Sequence, residues 1–138
     1  MKRIALYLIA ACLFSGCGGR GLVIKENIFG NYFLVARDEV GQLSLAYHET
    51  GIESIYGIVI AQTVFAVGYN EHYIIIKQHP DGDKQITSYY ILPVKKGMDW
   101  GTKNGLIGPL TLEQFNEKQK LLNIPDDLKF TIEKANLK

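Results

Sequence analysis

Between residues 31 and 94 the apolar residues of this chain fall into short runs rich in β-branched and aromatic side chains, separated by polar or glycine-containing stretches. That pattern belongs to strands and turns rather than to helices. Tyr32–Arg37 and Leu43–His48 read as strands, with Asp38-Glu39-Val40-Gly41-Gln42 between them as a hairpin connection. Ile58–Ile60 is a further short apolar run, and Thr63–Tyr69, His72–Gln78 and Ile86–Val94 follow as three consecutive strands. Asn70-Glu71 turns the first pair of these. Pro80-Asp81-Gly82-Asp83 turns the second, because proline presets one dihedral and Gly82 accepts positive φ. The three make an antiparallel meander. Pro93, near the end of the last strand, has no backbone donor and is expected at a sheet edge. Ile74-Ile75-Ile76 is apolar on both faces of its strand, so cover is expected on both sides, within a sandwich or beneath a helix.

Flanking this centre the pattern changes. Leu22–Phe29 is an apolar lead-in whose period assigns no element. Lys95–Gly108 carries four glycines and one tryptophan with no periodicity, and reads as a long loop, a feature often functional in compact domains. Thr111-Leu112-Glu113-Gln114 is a capping box that opens a helix over Leu112–Leu122, with Leu110 and Phe115 at the hydrophobic-staple positions. Leu112, Phe115 and Leu122 fall on one side of that helix, and Lys118 and Lys120 face solvent. Asn123 is suited to the C-cap, and Pro125 prevents continuation. Leu128, Phe130 and Ile132 alternate as a last strand. The fold class is α+β: a mainly antiparallel meander sheet with one C-terminal helix packed on it, or alternatively a small β-sandwich.

The N-terminus has a different grammar. Met1-Lys2-Arg3 is a short positive stretch, and Ile4–Phe14 is an eleven-residue apolar run. A bilayer span needs about 20 residues, so this run has the length and flanks of a signal-peptide core. Leu13-Phe14-Ser15-Gly16-Cys17 resembles the lipobox of bacterial lipoproteins, with Phe14 where an aliphatic residue is typical. The resemblance implies diacylglycerol on Cys17, cleavage before it, an N-acyl lipid on its amine, and a membrane as partner. Leu8-Ile9-Ala10-Ala11-Cys12 is the alternative. It fits the residue types more closely, but it shortens the apolar run and strands Leu13 and Phe14 on the tether. Gly18-Gly19-Arg20-Gly21 makes a flexible spacer behind Cys17. The expected organisation is a signal peptide over 1–16, a lipidated cysteine and tether over 17–21, and one domain over 22–138. In a cell with two membranes, Gly18 in place of an aspartate points to the outer membrane.

Composition narrows the chemistry. Residues 17–138 hold every acidic residue but lose Lys2 and Arg3, for a formal charge of −1. A balance so near zero argues against a nucleic-acid partner, which requires a concentrated basic face. Cys12 and Cys17 are the only cysteines. With one cleaved away and the other a thioether, disulfides, cysteine nucleophiles and thiolate metal sites are all excluded.

His72 and His79 are seven residues apart, an odd spacing that sends them to opposite faces of a regular strand. Even with His48 they read as ordinary strand-end or surface residues rather than zinc ligands. Asp81 and Asp83 fit a hairpin better than a calcium loop, since Lys84 follows at once. Ser44, Ser54 and Ser88 stand in no nucleophile elbow. Tyr89 and Tyr90 are neighbours on a strand, so one faces in and the other out. In the glycine-rich loop, Trp100 among Lys95, Lys96 and Lys103 is the candidate interaction surface, against the alternative that Trp100 folds back over a sheet edge. No metal or organic cofactor is expected beyond the covalent lipid.

Gly68-Tyr69-Asn70, then His72–Gln78, then Gly108-Pro109-Leu110-Thr111-Leu112-Glu113-Gln114-Phe115 together resemble a family of short bacterial lipoproteins of unknown function, over roughly Thr63–Ile124. The resemblance implies a β-rich lipoprotein domain and brings no catalytic residue with it. The expected function is that of a membrane-tethered, non-enzymatic envelope lipoprotein acting as an interaction or accessory module. The alternatives are an inhibitor or immunity-type lipoprotein that binds an exported enzyme, and an envelope hydrolase.

Overall fold

The structure, a computed structural model, describes residues 21–48, 56–94 and 105–138. Its first sheet contains β1 (Ile24–Phe29), β2 (Tyr32–Ala36), β3 (Ser44–His48) and β4 (Tyr56–Ile60), each antiparallel to the one before. The lead-in is thus a strand: its side chains alternate between exposed and half-buried until Ile28 enters the core. The connection from β2 to β3 contains a short 3-10 turn at Val40–Gln42.

The second sheet contains β5 (Val64–Tyr69), β6 (Tyr73–Gln78), β7 (Ser88–Pro93) and β8 (Ile107–Leu110), with β9 (Ile132–Glu133) paired to β5. The expected meander is β5-β6-β7. It continues into β8, taken from the end of the stretch that reads as loop. β7 is therefore not an edge strand. Pro93 is accommodated because the β7–β8 register runs only from Tyr89↔Leu110 to Ile91↔Ile107, short of the proline. The last strand is much shorter than its alternation suggests. Thr131 donates to the Val67 carbonyl at 3.0 Å, and ladder pairing with β5 begins only at Ile132. Leu128 and Phe130 precede it as irregular chain, packed on the core.

The helix α1 spans Leu112–Leu121. Both halves of the capping box form: the Gln114 amide donates to Thr111 Oγ1 at 3.3 Å, and the Thr111 amide donates to Gln114 Oε1 at 2.9 Å. Asn123 takes a positive φ of 51° just after the helix, the left-handed stop expected of it, while Leu122 is the C-cap itself. Of the helix residues only Phe115 is buried, whereas Leu112 is exposed.

The layers follow from β6. Ile74 and Ile76 face the first sheet and share a core with Leu34, Leu45, Val59 and Leu92. Ile75 faces the other way and packs with Ile91, Phe115, Ile124 and Leu128 beneath α1. The triple isoleucine thus meets both kinds of expected cover at once, a sheet on one side and a helix on the other. Each fully buried isoleucine gains about 1.5–3 kcal/mol over an exposed one.

The crossing between sheets is pinned by polar groups. Val64 N–H donates to the Leu43 carbonyl at 2.8 Å, and Thr63 Oγ1 donates to the Gly41 carbonyl at 2.6 Å. The C-terminal segment is held to β1 by an ion pair between Lys134 and Glu26.

Candidate functional site

On the outer face of the second sheet, Ile75 and Lys77 are two apart on β6 and so share the side that carries α1. Tyr89 joins them from β7. The chain after α1 turns at Pro125 and returns through Asp126–Phe130 beside the same face. Between the helix and that returning segment lies a groove of about 360 Å³. Ile75, Lys77 and Tyr89 line it from the sheet. Leu112, Phe115, Asn116 and Gln119 line it from α1, and Asp126, Leu128, Lys129 and Phe130 from the segment opposite.

The aromatic residues are in mutual contact. Tyr89 and Phe115 have ring centroids 5.1 Å apart, and Phe115 and Phe130 are 6.1 Å apart. Lys77 is half-buried, and its ammonium lies 4.3 Å from the Phe130 ring centroid and 5.9 Å from that of Tyr89. Such contacts hold a cation in place without neutralising it. Among the described residues no carboxylate lies within ion-pair reach of Lys77. The groove is thus an aromatic floor lined by two cations, Lys77 and Lys129, two side-chain amides and one carboxylate, with Lys77 the cation set over the rings. Charge and stacking surfaces of this kind can orient a ligand.

The opposite face of β7 carries a buried polar link. Tyr90 Oη donates to Gln78 Oε1 at 2.8 Å, and Gln78 Nε2 donates to the carbonyls of Ala61 at 2.8 Å and Gln62 at 3.3 Å. Burial pushes the Tyr90 pKa up from 10.0. The two tyrosines do face opposite ways, but neither faces open solvent: each is half-buried against a different core.

His79 is not a surface residue. It is 4% exposed, its ring stacks on Phe65 at 4.1 Å, and its Nδ1 donates to the Ile86 carbonyl at 2.8 Å, leaving Nε2 buried without a partner among the described residues. His72 is exposed, and His48 is half-buried against Phe33. Among the described residues no three metal-ligating side chains come together. Asp81 and Gly82 take φ of 51° and 79°, and the Asp83 carboxylate accepts from the Gln85 amide at 3.0 Å, as a turn requires. Ser44 Oγ donates to the Gln42 carbonyl, and Ser88 is buried. Cys12, Cys17, Ser54, Lys95, Lys96, Trp100 and Lys103 lie outside the described residues.

The motif residues quoted above serve the fold. Asn70 Oδ1 accepts from the amides of His72 and Tyr73, closing the β5–β6 turn. Gly68 lies against the Lys129 backbone, and Gly108, at φ 137°, lies against Tyr89 and Tyr90, so a Cβ at either would overlap them. Residues 29–136 match the model of a family described as a protein of unknown function (DUF3997). The chain belongs to that family. The match extends beyond Thr63–Ile124 on both sides and takes in β2 to β9 and the helix, leaving out nearly all of β1. No curated protein and no solved structure matches the chain. In this DUF3997 domain the groove draws on β6, β7, α1 and the Asp126–Phe130 segment. Sequence reading missed Lys77, Asn116, Gln119 and Asp126. The one available signal was Lys77, a cation two residues from Ile75 and directly behind the apolar run Ile74-Ile75-Ile76.

Proposed function

We propose that this protein is a membrane-tethered envelope lipoprotein whose folded part is a non-enzymatic interaction module. The tether rests on one observation: Lys2-Arg3, the apolar run Ile4–Phe14 and Ser15-Gly16-Cys17 stand in the order of a lipoprotein signal, directly before a glycine spacer. Strand β1 begins at Ile24, just behind that spacer, so a cysteine-anchored chain needs no further linker to reach the domain. The interaction role is supported by the groove beneath α1, whose cation and amides are suited to holding a partner. The lipids of such an anchor give stable attachment, since two or more acyl chains together hold where one is marginal.

The test is mass spectrometry of the mature N-terminus from a bacterial host that processes lipoproteins. A lipidated N-terminal Cys17, lost together with membrane fractionation in Cys17→Ala, is the expected result. Lipid on Cys12, or an intact leader, would overturn it.

A further inference from the structure

We infer that the groove between α1 and the Asp126–Phe130 segment is a binding site for a singly charged anion carried on an aromatic or branched apolar body, with a carboxylate as the charged group. This rests on the interaction-module reading of the same groove and names its ligand class, while standing apart from the membrane tether.

The chemistry follows from Lys77. Its ammonium is fixed over the Phe130 ring and near Tyr89, has three N–H donors, and meets no carboxylate among the described residues. An anion entering the groove would therefore find an oriented donor that need not abandon an existing ion pair, and would form a charge-assisted hydrogen bond. The body of the ligand would lie against the linked rings of Tyr89, Phe115 and Phe130, where offset or tilted stacking is favourable.

Charge selects the class. Two lysines and one aspartate line the groove, for a formal charge of +1. One carboxylate balances that charge, whereas a doubly charged phosphate overfills it beside Asp126. Size agrees: about 360 Å³ lies near the small end of ligand sites, which run from about 300 to 1,000 Å³.

The test uses the full chain, purified as the cell makes it and kept in detergent. N-acetylphenylalanine is titrated in while the methyl and aromatic resonances of Tyr89, Phe115 and Leu128 are followed, with its uncharged amide and with phenyl phosphate as parallel arms. Saturable shifts confined to the groove are expected from the acid. The amide should bind more weakly by about tenfold or more, the usual weight of one charge-assisted hydrogen bond. Lys77→Met should weaken the acid to the level of the amide, and Lys77→Arg should restore it. Absence of shifts, shifts outside the groove, or equal binding of acid and amide would overturn the site. Phenyl phosphate binding as well as the acid would overturn the single-charge assignment. Because the amide arm needs no mutation, the outcome does not rest on any variant folding.

Discussion

Gly68 and Lys129 lie backbone against backbone: the Lys129 carbonyl fills the space that a Cβ on residue 68 would require. This contact lets the returning segment cross β5 and lay Leu128 and Phe130 over the outer face of the second sheet, where they form one wall of the groove. Gly68→Ala should therefore destabilise by about 2–3 kcal/mol, as overpacking at a rigid contact does. Gly57→Ala is the control, since among the described residues its Cβ would meet only the Tyr47 carbonyl, at 3.9 Å. Urea denaturation of both variants checks the contrast. A wild-type midpoint for Gly68→Ala would mean that the segment does not cross there.

Ile75 and Ile76 are neighbours on β6, and each is fully buried in a different core. Truncating either to alanine should cost about 2–5 kcal/mol. A sheet covered on one side only would lose stability at one position and almost nothing at the other. Thermal melts of Ile75→Ala and Ile76→Ala decide between the two.

The helix cap is exposed and local, so its loss is readable in isolation. Thr111→Ala should cost about 1 kcal/mol, and Thr111→Ser should recover most of it. An unchanged denaturation midpoint in Thr111→Ala would mean that the cap contributes nothing.

Tyr90 predicts a dependence on alkaline pH. Burial raises its pKa above 10.0, so the unfolded chain releases the phenolic proton at lower pH than the folded one. The unfolded state then binds fewer protons, and stability falls as pH rises through and above about 10. Tyr90→Phe removes that part of the alkaline loss. At neutral pH it lowers stability by about 1 kcal/mol, through the lost hydrogen bond to Gln78. Denaturation of wild type and variant at pH 8 and pH 10.5 should show the gap between them narrowing. A constant gap would mean that Tyr90 titrates alike in both states.

Local chemistry determined a great deal of this protein on its own. The strands β2, β3, β5, β6 and β7, the Pro80–Asp83 turn, the capping box at Thr111 and the stop at Asn123 each depend on residues within a few positions of one another, and each is legible as written, whereas of β4 only the apolar run Ile58–Ile60 stands out. So is the two-sided burial of β6, because three consecutive isoleucines leave neither face for water. Tertiary structure alone decided the rest. Alternating strands look the same whichever sheet they join, so the break between β4 and β5 is invisible until Thr63 and Val64 reach back to Gly41 and Leu43. The period of Leu128, Phe130 and Ile132 suggests a strand, yet these residues serve mainly to pack on two cores, and ladder pairing with β5 is confined to Ile132 and Glu133. The groove is the furthest from the sequence. Lys77, Phe115 and Asp126 stand on three separate segments, and no spacing rule relates them. They meet because a glycine on β5 lets distant backbone pass close enough to close one side.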